Sequence, residues 1–193
     1  MPRRASRPKT YRQPKLWADR FWLEPLRAEH HAAALYEPLS DRRLYEFIPG
    51  DPPASVQVVW DRLVRLEEPT TGRSRRAAEL WLNWVVKSKD REYVGLMEAT
   101  VRKNASVHLA YFIFVPHQGR GYGVEAAKLV INHLVEEFDV SIARALVDTR
   151  NNASIRLLER LGFSRKRLIE HADHFKGACS DEYEYILELK ATT

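Results

Sequence analysis

The chain has 193 residues, 45% of them apolar and 30% charged, with 8 glycines. That is one domain's length with something to spare at the ends, and enough apolar surface to bury a core, which excludes disordered, collagenous and low-complexity classes. The net charge of +5 suggests a nucleic-acid partner until it is divided. Residues 1–20 hold seven basic side chains against Asp19 alone, and the other 173 hold 24 basic against 25 acidic. The body is nearly neutral, and the basicity belongs to the N-terminal tail. One cysteine, Cys179, leaves no intramolecular disulfide, and no apolar run reaches the ~18 residues of a membrane span. The N-terminal arginines have no apolar stretch behind them, so they do not make a secretory signal. A cytoplasmic protein without a membrane partner is expected.

Residues 1–16, with three prolines and no apolar periodicity, read as a basic mobile arm, and a single domain is expected over 17–190. Arg20–Leu26 reads as a short strand and Ala28–Leu35 as a helix. Helical patterns at Asp41–Phe47 and Pro53–Leu66 flank a Pro- and Gly-rich turn at Ile48–Pro53. Thr70–Arg76 has three arginines and no apolar residue, the composition of an exposed loop. From Glu79 onward, the β-prone runs Leu80–Val86, Tyr93–Val101 and Val107–Val115 with polar links between them predict an antiparallel meander. The period then changes to 3.6, with Val124, Ala127, Ile131, Leu134, Val135 and Phe138 on one face of a helix over 121–138. A strand at Ile142–Val147, a helix at Asn152–Leu161 closed by Gly162, and strands at Phe163–Glu170 and Asp181–Leu189 complete an α+β layout. A connection containing a helix joins strand 107–115 to strand 142–147, so this pair is expected to be parallel. Parallel neighbours not tied along their whole length splay and open a slot for an extended ligand.

The segment Val115-Pro116-His117-Gln118-Gly119-Arg120-Gly121-Tyr122-Gly123 joins a strand to an amphipathic helix. Its glycines leave backbone N–H groups uncovered, and the helix start adds about half a positive charge, which together make an anion cradle suited to a pyrophosphate. A phosphate-loop NTPase needs Lys and then Ser or Thr after the last glycine, where Val124-Glu125 stands. A dinucleotide fingerprint needs a third glycine where Val124 stands, and a parallel sheet before it. A plain glycine-rich turn stays open on the loop alone. Gln118-x-x-Gly121-x-Gly123 resembles the acetyl-CoA pyrophosphate loop of the GNAT superfamily of N-acetyltransferases. Ala110-Tyr111-Phe112 before the loop and Gly121-Tyr122-Gly123-Val124-Glu125-Ala126-Ala127 after it fit the same context. Downstream, Asn151-x-x-Ser154 followed by Gly162-Phe163 resembles the Rim-type branch, which acetylates protein N-termini, ribosomal proteins among them. Phe21–Leu26 and Leu39-Ser40-Asp41 are similar to that branch as well.

The resemblance spans about residues 17 to 190. It implies a GNAT fold: a mixed, mostly antiparallel sheet whose central parallel pair splays around acetyl-CoA, with helices on both faces. It also implies that the backbone of Ile113, Phe114 and Val115 bonds the pantetheine arm like an added strand, and that Gln118, Gly119, Arg120, Gly121, Tyr122 and Gly123 hold the pyrophosphate. Asn151 resembles the asparagine that bonds the pantetheine, and Ser154 the serine proposed to protonate the leaving thiolate. Asn151 is equally an apt N-cap, and Ser154 an ordinary first-turn residue.

The strand before the loop lacks the carboxylate that many members carry, which leaves Glu98 on the neighbouring strand, and His108, as substitutes for a base. Deprotonating a lysine-like amine of pKa ~10.4 near pH 7.4 costs about 4 kcal/mol, against under ~1 kcal/mol for an α-amine. A site with a weak base therefore favours a protein N-terminus modestly, and a small-molecule amine stays open as the acceptor. No His, Cys or carboxylate spacing points to a metal. The expected function is acetyl-CoA-dependent acetylation of a primary amine, with weak RNA or ribosome contact through the basic arm. The rival is a non-catalytic acyl-CoA-binding sensor or an RNA- or ribosome-associated module.

Overall fold

The computed structural model describes residues 11–67 and 79–189; residues 1–10 and the loop expected at Thr70–Arg76 lie outside that range. One eight-stranded sheet organises the chain. Its strands are β1 (Leu16–Trp17), β2 (Phe21–Pro25), β3 (Leu80–Ser88), β4 (Tyr93–Val101), β5 (Ser106–Ile113), β6 (Ile142–Asp148), β7 (Ser164–Phe175) and β8 (Ala178–Glu188). In space they run β1-β2-β3-β4-β5-β6-β8-β7. Every pairing is antiparallel except β5 with β6. The crossover between those two is the long helix α3, as the sequence predicts.

Helices cover both faces. α1 (Ala28–Leu39) and α2 (Val56–Glu67) close one core with Val85, Leu96 and Phe114, while α3 (Tyr122–Phe138) and α4 (Asn152–Arg160) close the other with Trp84, Met97, Leu109 and Tyr185. The buried stripe of α3 centres on Ala126, Val130 and Leu134, about one residue round from the predicted face. Small residues on that line, with Gly123 at its start, let the helix lie close to the sheet. The expected helix at 41–47 is a single 3-10 turn at Arg42–Tyr45, capped by the Asp41 carboxylate, and α2 begins only after Pro52 and Pro53.

The inner end of the segment expected as an arm over 1–16 is ordered. Residues 11–16 pack on the body: Tyr11 Oη lies 2.6 Å from His133 Nε2, Gln13 Nε2 donates to the Asn83 carbonyl at 2.8 Å, and Leu16 pairs with Leu23. Two apolar anchors five residues apart, Tyr11 and Leu16, carry no period, so this strap is invisible to a pattern search. Among the described basic residues of the tail, Lys15 pairs with Glu24 and Arg20 with Glu125.

At the other end of the sheet Asp148 closes β6. Its carboxylate accepts from the Arg150 guanidinium and from Ser180 Oγ, both at 2.6 Å. The Arg150 bonds hold its pKa down at about 2 despite its burial. A carboxyl depressed in the fold contributes stability above its unfolded pKa near 3.8 and loses it as pH falls through the folded value. Because Arg150 is exposed and screened, the contribution is about 1–2 kcal/mol. Denaturant titrations of wild type and Asp148→Asn should therefore differ by that amount at pH 7 and converge only below about pH 2; equal stability at pH 7 would remove this role.

Candidate active site

β5 and β6 are in register only over Ser106–Ile142, Val107–Ala143 and His108–Arg144. β5 then continues to Ile113 and β6 to Asp148 with a gap opening between them. On the far side of β5 the ladder with β4 holds through Gly95–Ile113, and the Phe114 N–H donates to Val94 O at 2.9 Å. By the alternation of an antiparallel ladder, this bond turns the N–H and C=O of Ile113, and of Tyr111 two residues earlier, away from β4 and into the gap. The Gln118 side chain donates to the Ile113 carbonyl at 2.9 Å.

Phe114 and Val115 differ from expectation. The amide of Phe114 is occupied by Val94 and its ring is buried in the α1–α2 core; Val115 starts a 3-10 turn that ends at His117. The strand ends two residues early because Pro116 and the turn bond from His117 N to Phe114 O draw the chain out of the sheet.

The loop then rises into α3. Gly119 and Gly121 have φ of +71° and +84°, and Gly121 is the N-cap of α3 with no side-chain cap. The first main-chain bond of the helix runs from Glu125 N to Gly121 O at 3.2 Å, so the amides from Gly119 through Val124 have no main-chain acceptor among the described residues. A glycine at 121 is required because a side chain in the left-handed region is strained, and a Cβ there meets Arg20 Nη2 at 3.2 Å. Arg20 braces this loop: it donates to the Arg120 carbonyl and to both Glu125 oxygens, and stacks over the Tyr122 ring at 4.1 Å. Gly123 is a point of close approach, where a Cβ would stand 2.6 Å from Leu157 Cδ1 of α4.

Across the gap, Asn151 caps α4, its Oδ1 accepting from Ser154 N at 3.0 Å. Asn151 Nδ2 has no partner among the described residues. The Ser154 hydroxyl meets Tyr111 Oη at 2.6 Å, a bond that spans the opening from α4 to β5. Burial pushes the Tyr111 phenol up to about 12, and the Ser154 contact opposes this in part. Nothing in the sequence marks the side chains of Tyr111 and Arg20 as parts of the site. Tyr111 reads as one more apolar residue of a strand, and Arg20 as one more charge of a basic tail; only tertiary pairing brings them to the site.

The other face of the sheet carries the acidic groups. Phe112 packs against the α1–α2 core, which fixes His108, Ala110 and Phe112 on that side, and register carries Glu98, Arg144, Leu146, Asp148, Glu182 and Glu184 onto the same face. α1 and α2 do not roof it beyond β5, where Leu146 stands 45% exposed. Glu98 Oε1 lies 3.4 Å from Arg62 Nη2; burial raises the carboxyl above its ordinary range and Arg62 pulls against it. His108 is lowered by burial and by nearby Arg102 and Arg144, so it is neutral near pH 7. Glu184 is paired to Arg144 and Arg167. Glu182 has no cation partner among the described residues, and burial with nearby Asp173 and Asp148 raises its pKa. The alternation Asp181-Glu182-Tyr183-Glu184-Tyr185 is the sequence signal that sets Glu182 on a common face with Glu184. On the β7–β8 hairpin, exposed Cys179 lies 3.7 Å from His174 Nδ1, a cross-strand pair. No cluster of three metal-binding side chains occurs among the described residues, and no described helix is long and apolar enough to cross a membrane.

A splayed parallel pair beside an uncapped glycine-rich helix start has counterparts among known proteins. Residues 20–164 match the family model described as Acetyltransferase (GNAT) domain, and the chain belongs to that family. Over 100 residues it is 29% identical to the SPbeta prophage-derived uncharacterized N-acetyltransferase YokL of Bacillus subtilis (strain 168), a match covering 51% of this chain and 56% of that protein. The chain thus spans little more than half the length of that curated relative. Two solved structures share the fold. RimL, the ribosomal L7/L12 alpha-N-protein acetyltransferase in complex with coenzyme A, superposes with a TM-score of 0.79 at 15% identity, over 91% of this chain and 97% of that one. The ribosomal-protein-S5-alanine acetyltransferase of Vibrio fischeri gives 0.76 at 17% identity, also over 91% and 97%.

Gly121→Ala forces a Cβ into a left-handed N-cap and should lower stability by about 1–2 kcal/mol in denaturant titrations. A variant as stable as wild type would mean that the loop relaxes to a right-handed cap.

Proposed function

We propose that the chain is an acetyl-CoA-dependent N-acetyltransferase acting on a primary amine, the α-amine of a peptide in particular. The observation that carries this reading is the gap between β5 and β6 opening beside the uncapped start of α3. An extended arm fits the first and a pyrophosphate the second. Acetyl-CoA supplies the activated acyl group; binding, orientation and charge come from the chain. The loop from Gln118 through Gly119, Arg120, Gly121, Tyr122 and Gly123 holds the pyrophosphate through its free amides, with the exposed Arg120 side chain adding charge. Ile113 and Tyr111 present backbone groups to the pantetheine arm in place of Phe114 and Val115. Asn151 keeps its cap through Oδ1 and offers Nδ2 to the same arm, and Ser154 stands where the thiol end arrives.

The acceptor reaches the thioester from the opposite face, where Glu98, Asp148 and Glu184 are paired with arginine and Glu182, without a cation partner among the described residues, is left to attract an amine. Glu98 takes the proton as base, its raised pKa bringing it nearer the α-amine it serves. Positioning and polarisation supply most of the rate in a site with so few ionisable groups. The ribosomal acceptors of the two structural neighbours are properties of those proteins. For this chain, contact with RNA or the ribosome rests on the basic residues at 3–12, whose affinity falls with salt.

Incubation with acetyl-CoA and a peptide with a free N-terminus should release free thiol, and the same peptide with its N-terminus blocked should not. Asn151→Ala should weaken acetyl-CoA binding about fivefold, the scale of one hydrogen bond. Binding of CoA without turnover on any amine would instead support the non-catalytic sensor or binding module. Activity should fall as pH drops through the raised pKa of Glu98, and Glu98→Gln should remove that limb and lower kcat/KM by about 10²–10⁴. An unaltered profile would move the base to Glu182, tested by Glu182→Gln.

A further inference from the structure

Tyr111 and Ser154 are the described side chains that bond to one another across the gap between β5 and α4, with their oxygens 2.6 Å apart. Each is half-buried, and each is already fixed by its element. Tyr111 lies on β5 three residues past the last β5–β6 pair, opposite Met97 of β4. Ser154 sits in the first turn of α4 with its N–H held by Asn151 Oδ1. Of the two hydroxyls, the phenol is the stronger acid and the weaker acceptor, because its lone pair is drawn into the ring. The Tyr111 hydrogen therefore lies on Ser154 Oγ, and the serine's own hydrogen is left to point elsewhere. Ser154 Oγ has no other side-chain or main-chain partner among the described residues, so its hydrogen is free to turn to the gap.

We propose that Tyr111 is a positioning residue that locks the Ser154 hydroxyl with its hydrogen turned into the gap, so that Ser154 stabilises the departing thiolate of the acyl donor by donating a hydrogen bond, without giving up its proton. This rests on the acetyltransferase reading and changes the role that the family resemblance gives to Ser154. A thiol has a pKa of ~8.5, whereas burial pushes the Tyr111 phenol up to about 12. Proton transfer from the pair to sulfur is thus uphill by roughly three orders of magnitude, while a hydrogen bond from a fixed donor to a charged sulfur is not opposed. In the transfer, the new C–N bond forms and the C–S bond breaks with its electron pair staying on sulfur. The amine's surplus proton goes to the base on the opposite face, and the thiolate takes a proton from solvent after release. The start of α4, a helix of nine residues, adds its partial positive charge at Ser154. The sulfur of an intact thioester carries no such charge, so the interaction belongs to the transition state and the product.

The test titrates the thiol of CoA, free and bound, by its thiolate ultraviolet absorbance, with wild type, Tyr111→Phe, Ser154→Ala and the double variant. Bound to wild type, the CoA thiol should ionise at a pH about one unit or more below free CoA, since a hydrogen bond to a charged group corresponds to roughly a ten- to hundredfold preference. Tyr111→Phe and Ser154→Ala should each lose that shift, the double variant should lose no more than Ser154→Ala, and Ser154→Thr, which keeps the hydroxyl, should retain it. In turnover, Tyr111→Phe should lower kcat about tenfold and leave the Kd for acetyl-CoA unchanged. A merely structural tyrosine would move stability and Kd but not the thiol titration. A bound thiol that ionises at the same or a higher pH than free CoA would overturn the proposal and restore Ser154 as a proton donor, and an unshifted Tyr111→Phe titration would remove Tyr111 from it. Failure of wild type to bind CoA at all would instead defeat the acetyltransferase reading on which this one stands.

Discussion

The chain depends on one incomplete pairing. β5 and β6 stay together for three residue pairs and then part, although both strands continue. Backbone N–H and C=O groups in the middle of a sheet ordinarily find partners in the neighbouring strand. Here those of Tyr111 and Ile113 face a gap, and the fold spends its remaining elements holding that gap open. α3 is docked tightly by its small residues and by the contact between Gly123 and Leu157, which fixes the distance from β5 to α4. β4 holds the other side of β5 without a register shift.

The gap divides the molecule electrostatically. On the α3–α4 side lie two helix starts, with the loop amides of α3 left to offer hydrogen to a ligand. On the α1–α2 side lie the carboxylates of β4, β6 and β8, most of them matched by arginine. An anionic donor is therefore drawn to the first side, and on the second Glu182 is the carboxylate left without a cation partner among the described residues. The nearly neutral total of residues 21–193 hides this separation, which lies in the arrangement of charge and not in its sum.

The sequence carried the fold far because its signals were local. The change of period after Val115, the glycines at 119, 121 and 123, and the Asn151 cap each declare themselves within a few residues, and from them the parallel crossover and the slot follow. What the sequence did not carry was set by distant pairing. Tyr111 and Ser154 are 43 positions apart, Arg20 and Glu125 are 105 apart, and Glu182 owes its neighbours to the insertion of β8 between β6 and β7. The misplaced boundaries have the same origin. Tyr11 is ordered by His133 on a helix 122 positions away, and β5 ends at Ile113 because a turn that begins at Phe114 outcompetes further ladder bonds.

The account stands or falls on whether the gap and the loop are the binding surface for an extended, phosphorylated thioester. Amide hydrogen exchange, read residue by residue with and without CoA, addresses this directly. CoA should slow exchange at Tyr111 and Ile113 and at the amides from Gly119 to Val124, and should leave Phe114, already bonded to Val94, unchanged. Protection confined to other elements, or none at Ile113 and Gly121 under saturating CoA, would contradict it.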